Sequence, residues 1–210
     1  STYFNKESVH ALGFFKGDGY TDTELIDFLN SIKRKRIERA EKIVENLAKF
    51  HDIHITLESI MKNGKDTIAR PHIAKAIIDA GYNYDKEYIF EHFIGNDCPA
   101  YIPSVQIDTK EGVKLLKKHG AVVVLAHPVL LKKSSFQDVL ALGFDGLEGI
   151  YPMNCEWDTR IFLSYAKEHN LITSCGSDSH GGEDDLKHGS LGSMEMDEEW
   201  LTKFLTKLKA

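Results

Sequence analysis

The sequence is short of the features that mark secreted, membrane-spanning or fibrous proteins. It has only three cysteines, Cys98, Cys155 and Cys175, widely spaced and without a CxxC pair. That count supports neither a disulfide framework nor a structural zinc knuckle, so a reducing cytoplasm is the expected compartment. The longest apolar runs, such as Ala121 to Ala126, are far too short to span a bilayer. The start, Ser1-Thr2-Tyr3-Phe4-Asn5, has no basic region followed by an apolar stretch, so no secretory signal is read there. It also lacks an initiator Met, which suggests a processed chain or one cut from something longer. There is no repeat and no low-complexity linker. Positive charge is not in excess either: the formal net charge is −6. That argues against a protein that coats nucleic acid, and no stable DNA binding is expected. An anionic substrate remains compatible, because a bound divalent cation would dominate the local field.

What is present is a globular composition, 42% hydrophobic and 28% charged over 210 residues. This suits one domain, or one with a sizeable insertion. Residues 8 to 15 read as a short strand, broken by Gly17-Asp18-Gly19. Apolar residues then recur at helical steps from about Thr23 to Phe50, with Thr23 as a possible cap. The basic run Lys33 to Arg36 lies inside this helix; it is either a solvated face or a place where an arginine meets an anion. Residues 51 to 103 read as mostly helical. Pro71 opens one helix, where its missing N–H costs nothing, Gly81 ends that helix, and a second covers Asp85 to Phe93. After residue 108 helix and strand alternate: a helix over Thr109 to His119, a strand over Ala121 to Ala126, a helix over Ser134 to Leu142. A strand over Gly146 to Tyr151, a helix over Asp158 to His169, a strand over Leu171 to Cys175 and a last helix from Asp197 to Leu208 follow. Such βαβα alternation implies a parallel sheet or barrel. The division expected is an α/β domain over 1–22 and 104–210, with a helical insertion over 23–103.

Ligand-type side chains gather beyond the ends of two of these strands. One strand runs into His127-Pro128, the other into Gly176-Ser177-Asp178-Ser179-His180-Gly181. In α/β enzymes the site lies on this carboxyl edge. Asp178 and His180, two apart in extended chain, face the same way. Taken singly, His127 reads as a satisfied structural residue and Asp178 as a turn or cap residue. Together, imidazoles and a carboxylate suit Zn, Mn or Fe rather than calcium. His10, inside or at the end of the first strand, is a third candidate, with a backbone hydrogen bond as its plainer role. His51, His54, His92, His119 and His169 read as structural, the last two near helix ends where imidazolium suits the dipole. His188 follows the Asp178 motif in a polar loop and could touch substrate.

These residues resemble the PHP (polymerase and histidinol phosphatase) superfamily. The likeness rests on Val9-His10-Ala11-Leu12-Gly13-Phe14-Phe15, on His127-Pro128 after an apolar strand, and on Gly176 to His180 after another. Within it, the chain is most similar to the nucleoside 3',5'-bisphosphate phosphatase and RNase AM-like branch. In that branch the first of these histidines is followed by an arginine-rich helix and an insertion carrying Arg-Pro-His and Pro-Ala-Tyr, here Arg70-Pro71-His72 and Pro99-Ala100-Tyr101. The resemblance implies a distorted (β/α)7, TIM-like barrel holding two or three divalent metals (Mn, Fe or Zn). His10, His127, Asp178 and His180 would be ligands. Arg70 and His72 would approach a substrate phosphate, unless Arg70 only braces the insertion. The family's opening Asp-Leu-His-x-His segment, a further Asp and His, and a Gly-x-Glu motif, which in the family precede the His10 strand, are not found at that place. The chain therefore reads as an N-terminally truncated member, with an unpaired strand edge.

The activity implied is hydrolysis of phosphate monoesters, of small nucleotides or short RNA 5' ends, by metal-activated water. Asp178 and His180 would take part in the chemistry, His180 as donor of a proton to the leaving oxygen. A catalytically incomplete fragment serving as a binding module is the second reading. A metal-dependent amidohydrolase is the third, although no lysine lies at a convincing strand end to bridge its metals.

Overall fold

A computed structural model of the chain describes residues 1–64, 68–179 and 189–210. They divide into two compact units: Ser1–Leu25 with Gln106–Ala210, and Ile26–Val105.

The first unit is built on a four-stranded sheet. The chain opens with a hairpin of β1 (Thr2–Phe4) and β2 (Glu7–Val9), in which Thr2 pairs with Val9 and Phe4 with Glu7. Asn5 and Lys6, both at positive φ (49° and 59°), make the two-residue turn, as the right-handed twist of a hairpin prefers. The Thr2 hydroxyl donates to the Val9 carbonyl at 2.9 Å. The segment expected as one strand over residues 8 to 15 is therefore divided. Val9 still pairs with the hairpin, Ala11 begins β3 (Ala11–Phe15) on a different partner, and His10 is the residue where the chain changes sheets.

α1 (Thr23–His51) leaves this unit for the second one. There α2 (Leu57–Gly64), α3 (Arg70–Asp79) and α4 (Lys86–Ile89) follow, the last running on into a π-helical turn over Phe90–Ile94. Their apolar faces close on one core that includes Ile43, Leu47, Ile60, Ile73, Ile77 and Ile89, all fully buried. Asp85 caps α4 by accepting from the Tyr88 N–H at 2.7 Å, satisfying a donor that the first helical turn leaves open.

Back in the first unit, α5 (Thr109–Lys118) is capped by Asp108, which accepts from the Glu111 N–H at 3.1 Å. It leads through Gly120, at φ 81°, into β4 (Ala121–Leu125). Then come α6 (Phe136–Leu140), β5 (Gly146–Ile150), α7 (Glu156–Glu168), β6 (Ile172–Cys175) and α8 (Glu198–Lys209). Every residue of β4 is buried, and its side chains alternate between two cores. Val123 and Leu125 join Val139, Leu147 and Phe162 on one face. Val122 and Val124 join Ile172 and Phe204 of α8 on the other.

The sheet order is β3-β4-β5-β6. β4, β5 and β6 are parallel, as the alternation implied, but β3 runs antiparallel to β4, with Ala11 opposite Leu125 and Phe15 opposite Ala121. The chain between β3 and β4 passes through α1 to α5, a connection long enough to bring β4 back beside β3 in either direction. The fold is mixed α/β with a mainly parallel open sheet. A closed seven-stranded barrel is not formed by the described residues. No described helix is long and apolar enough to cross a membrane.

Candidate metal centre

The reversal of β3 explains how His10 reaches the functional edge. His10 precedes β3, and an antiparallel strand begins where its parallel neighbours end. Its carbonyl accepts the Ala126 N–H at 3.0 Å, just past the end of β4. His127 follows at once, with φ 29° and ψ 62°, a left-handed backbone that is uncommon outside glycine and asparagine. From there its ring meets His10. The His127 Nε2 to His10 Nδ1 distance is 3.0 Å, the rings lying edge to face with centroids 4.8 Å apart. The two nitrogens are within hydrogen-bond distance, the donor being set by the ring tautomers. They would also separate by only a few tenths of an ångström to bind one tetrahedral ion, whose ligand atoms lie about 3.3 Å apart.

Asp178 also has positive φ, 51°, and stands three residues beyond β6. Its carboxylate Oδ2 accepts from the Tyr151 hydroxyl at 3.1 Å. Tyr151, 2% exposed, lies just after β5, and its ring centroid is 5.6 Å from that of His127. One buried tyrosine thus touches both a candidate imidazole ligand and a candidate carboxylate. The loop after His127 is tied down from the hairpin: the Glu7 carboxylate accepts the backbone N–H groups of Lys132, Lys133 and Ser134.

Glu148 is the site residue that the pattern of the sequence did not reveal. It sits within β5, 5% exposed, and its Oε2 accepts the backbone N–H of His127 at 2.9 Å. Burial pushes its carboxyl up to about 7, the charge of Asp178 adding to the rise and the His127 N–H opposing it. Burial, and then Glu148, raise the Cys175 thiol as well. Gly176 leaves room for the carboxylate: a Cβ there would lie 2.3 Å from Glu148 Oε1. The available signal was a charged residue inside an otherwise apolar strand, Gly146-Leu147-Glu148-Gly149-Ile150, flanked by glycines.

The remaining predicted residues are placed as follows. His180 and His188 lie outside the described residues. Arg70 and His72 belong to the second unit. Arg70 Nη1 donates to Asn96 Oδ1 at 2.9 Å, and its guanidinium stacks 5.4 Å from the Tyr101 ring centre and 5.8 Å from that of Phe90. It lines a cleft of about 450 Å³ with Phe90, Glu91 and Asn96 among others. His72 Nδ1 accepts the Ala69 N–H at 3.1 Å, so this face of the ring closes the first turn of α3.

A second group of potential ligand atoms, from Asp22, Glu24 and His119, lies at the opposite edge of the sheet, before β4. Here His119 Nδ1 faces Asp22 Oδ1 at 3.3 Å, and Lys118 Nζ reaches both Glu24 oxygens at 2.6 Å. An ion-pair network at the end of α5 accounts for these contacts.

No family profile matches this chain. It is 23% identical over 187 residues to the 5'-3' exoribonuclease Rnm of Escherichia coli K12, and 22% identical over 186 residues to Rnm of Salmonella typhimurium. Each alignment takes in 86% of this chain but 63% of the relative, so the chain spans less than two thirds of the curated relatives it matches. Among solved structures, a Bifidobacterium adolescentis protein assigned as a metal-dependent phosphoesterase superposes with a TM-score of 0.75 at 28% identity, over 98% of this chain and 73% of that one. An amidohydrolase from Chromobacterium violaceum, solved with sulfate and no metal, superposes with a TM-score of 0.69 at 24% identity, over 93% and 69%, and shows the shared fold alone. These likenesses set the chain beside metal-dependent phosphoesterases and other hydrolases.

Proposed function

We propose that this chain carries part of a PHP-type, metal-dependent phosphoesterase site, acting on phosphate esters of small nucleotides or of short RNA 5' ends. The observation that carries the reading is the meeting of His10 and His127 at 3.0 Å on the carboxyl edge of the sheet, with Asp178 braced beside them by Tyr151. An imidazole-rich set with one carboxylate fits Mn, Fe or Zn. His10, His127, Asp178 and His180 would hold two or three such ions. When bound, the ions supply Lewis acidity, lowering the pKa of water and neutralising charge on the phosphoryl oxygens.

The protein's own part is orientation and proton transfer. Tyr151 holds Asp178 through a hydrogen bond to one carboxylate oxygen. His180, in the same Asp-x-His motif, would give a proton to the leaving oxygen. Arg70 and His72 would contact the substrate phosphate, for which a guanidinium fork is suited. RNA as substrate draws support from the activity of Rnm. The net charge of −6 favours a small nucleotide or a short end over a long strand.

The test is elemental analysis of the 210-residue chain, purified without chelator, beside its His127→Ala variant, with phosphate release from nucleoside 3',5'-bisphosphates and 5'-phosphorylated oligoribonucleotides. Retained Mn, Fe or Zn that falls at least tenfold in the variant, together with phosphate release, supports the phosphoesterase. A metal-free, inactive chain would sink an autonomous enzyme and favour a binding module.

A further inference from the structure

We propose that Glu148 is a positioning residue, a strut inside β5 that fixes the backbones of the two ligand-bearing turns on either side of it. β5 lies between β4 and β6, and from its middle the Glu148 side chain reaches the His127 backbone on one flank and Gly176 on the other.

Three observations carry this. Glu148 Oε2 accepts the His127 N–H at 2.9 Å, and that N–H belongs to a residue held at φ 29°. A non-glycine residue leaves such a backbone unless its surroundings hold it there. The second oxygen lies so close to Gly176 that a Cβ would come within 2.3 Å of it. Any residue but glycine would therefore displace either the carboxylate or the turn that leads to Asp178. Finally, the carboxylate is 5% exposed. Burying an acid in a parallel sheet is costly, so an apolar side chain would be the default here unless the oxygens had work to do. The role assigned is orientation of the His127 ring towards His10. In catalysis it rests on the metal-site reading above; in its effect on the backbone it does not.

The test is amide hydrogen exchange at single-residue resolution on the full chain, with the ¹⁵N shifts of the His127 ring as a second readout. Glu148→Gln keeps an oxygen that can accept the N–H; Glu148→Ala removes it. In Glu148→Ala the His127 amide should exchange at least tenfold faster and its ring shifts should move, while Val123 and Val124 stay protected. Glu148→Gln should restore both readouts towards wild type. Gly176→Ala should mimic Glu148→Ala, and adding Glu148→Ala to it should cause little further change. An unchanged His127 amide in Glu148→Ala would overturn the proposal. So would a Gln variant as damaged as the Ala variant, which would mark the charge itself as the essential feature. Should Glu148→Ala fail to fold, the Gln and Gly176→Ala variants decide alone. Because neither readout needs metal or turnover, failure of the phosphoesterase reading would appear separately, as a chain that holds no metal whatever the state of Glu148.

Discussion

Glu148 and its neighbours give the site a dependence on pH before any ion is added. Its carboxyl titrates at about 7 in the folded chain, against 4.5 for an ordinary glutamate. Between these values the folded state holds more protons than the unfolded one, so stability falls as pH rises. In the metal-free chain the loss from this group is at most about 3 kcal/mol between pH 4.5 and 7, with no further contribution above. Urea melts across that range should show the slope, and Glu148→Gln should flatten it. Tyr151 makes a second prediction. Tyr151→Phe removes the hydroxyl that orients Asp178 and leaves the ring in place. Metal affinity should drop on the order of tenfold, as losses of such supporting hydrogen bonds do, with little change in melting temperature. Equal metal binding in the two proteins, measured by competition with a chelator, would show that Asp178 needs no brace.

At the scale of elements, much of the fold could be read from the sequence, and the exceptions have physical causes. Helices with clear stops, such as α3 between Pro71 and Gly81, and the wholly apolar β4 were legible, because periodicity and punctuation are local signals. The hairpin was not. Its turn is Asn5-Lys6, and lysine at φ 59° lacks the glycine that usually announces such a turn. Lys6→Gly should therefore stabilise the protein by about 0.5–1 kcal/mol, a shift readable by thermal melting. Strand direction was not legible either. The sequence of β3 does not say which way it runs beside β4, whereas the parallel sheet read from the alternation after residue 108 is formed by β4, β5 and β6. At the site, His10 and His127 stood out because histidines at strand ends are conspicuous. Glu148 and Tyr151 did not, since their roles depend on strands that meet only in the folded sheet.

Over the whole molecule, the two units have separate hydrophobic cores. Damage to one core should therefore register locally first. Ile77, fully buried in the second unit, should cost about 3 kcal/mol when replaced by Ala. Hydrogen exchange should accelerate across residues 26–105 more than in the β4–β6 sheet. Uniform acceleration over both units would mean that they unfold as one.

His127 also has an evolutionary reading. Its backbone, at φ 29°, is one that glycine adopts freely and histidine does not. His127→Gly should accordingly be more stable than His127→Ala by about 1 kcal/mol, a difference that denaturant titration would resolve. Purifying selection for chemistry and selection for folding thus pull in opposite directions at this position. In lineages where the activity has lapsed, drift towards glycine or asparagine at 127 would be among the earliest marks of a relaxed constraint, readable from sequences alone.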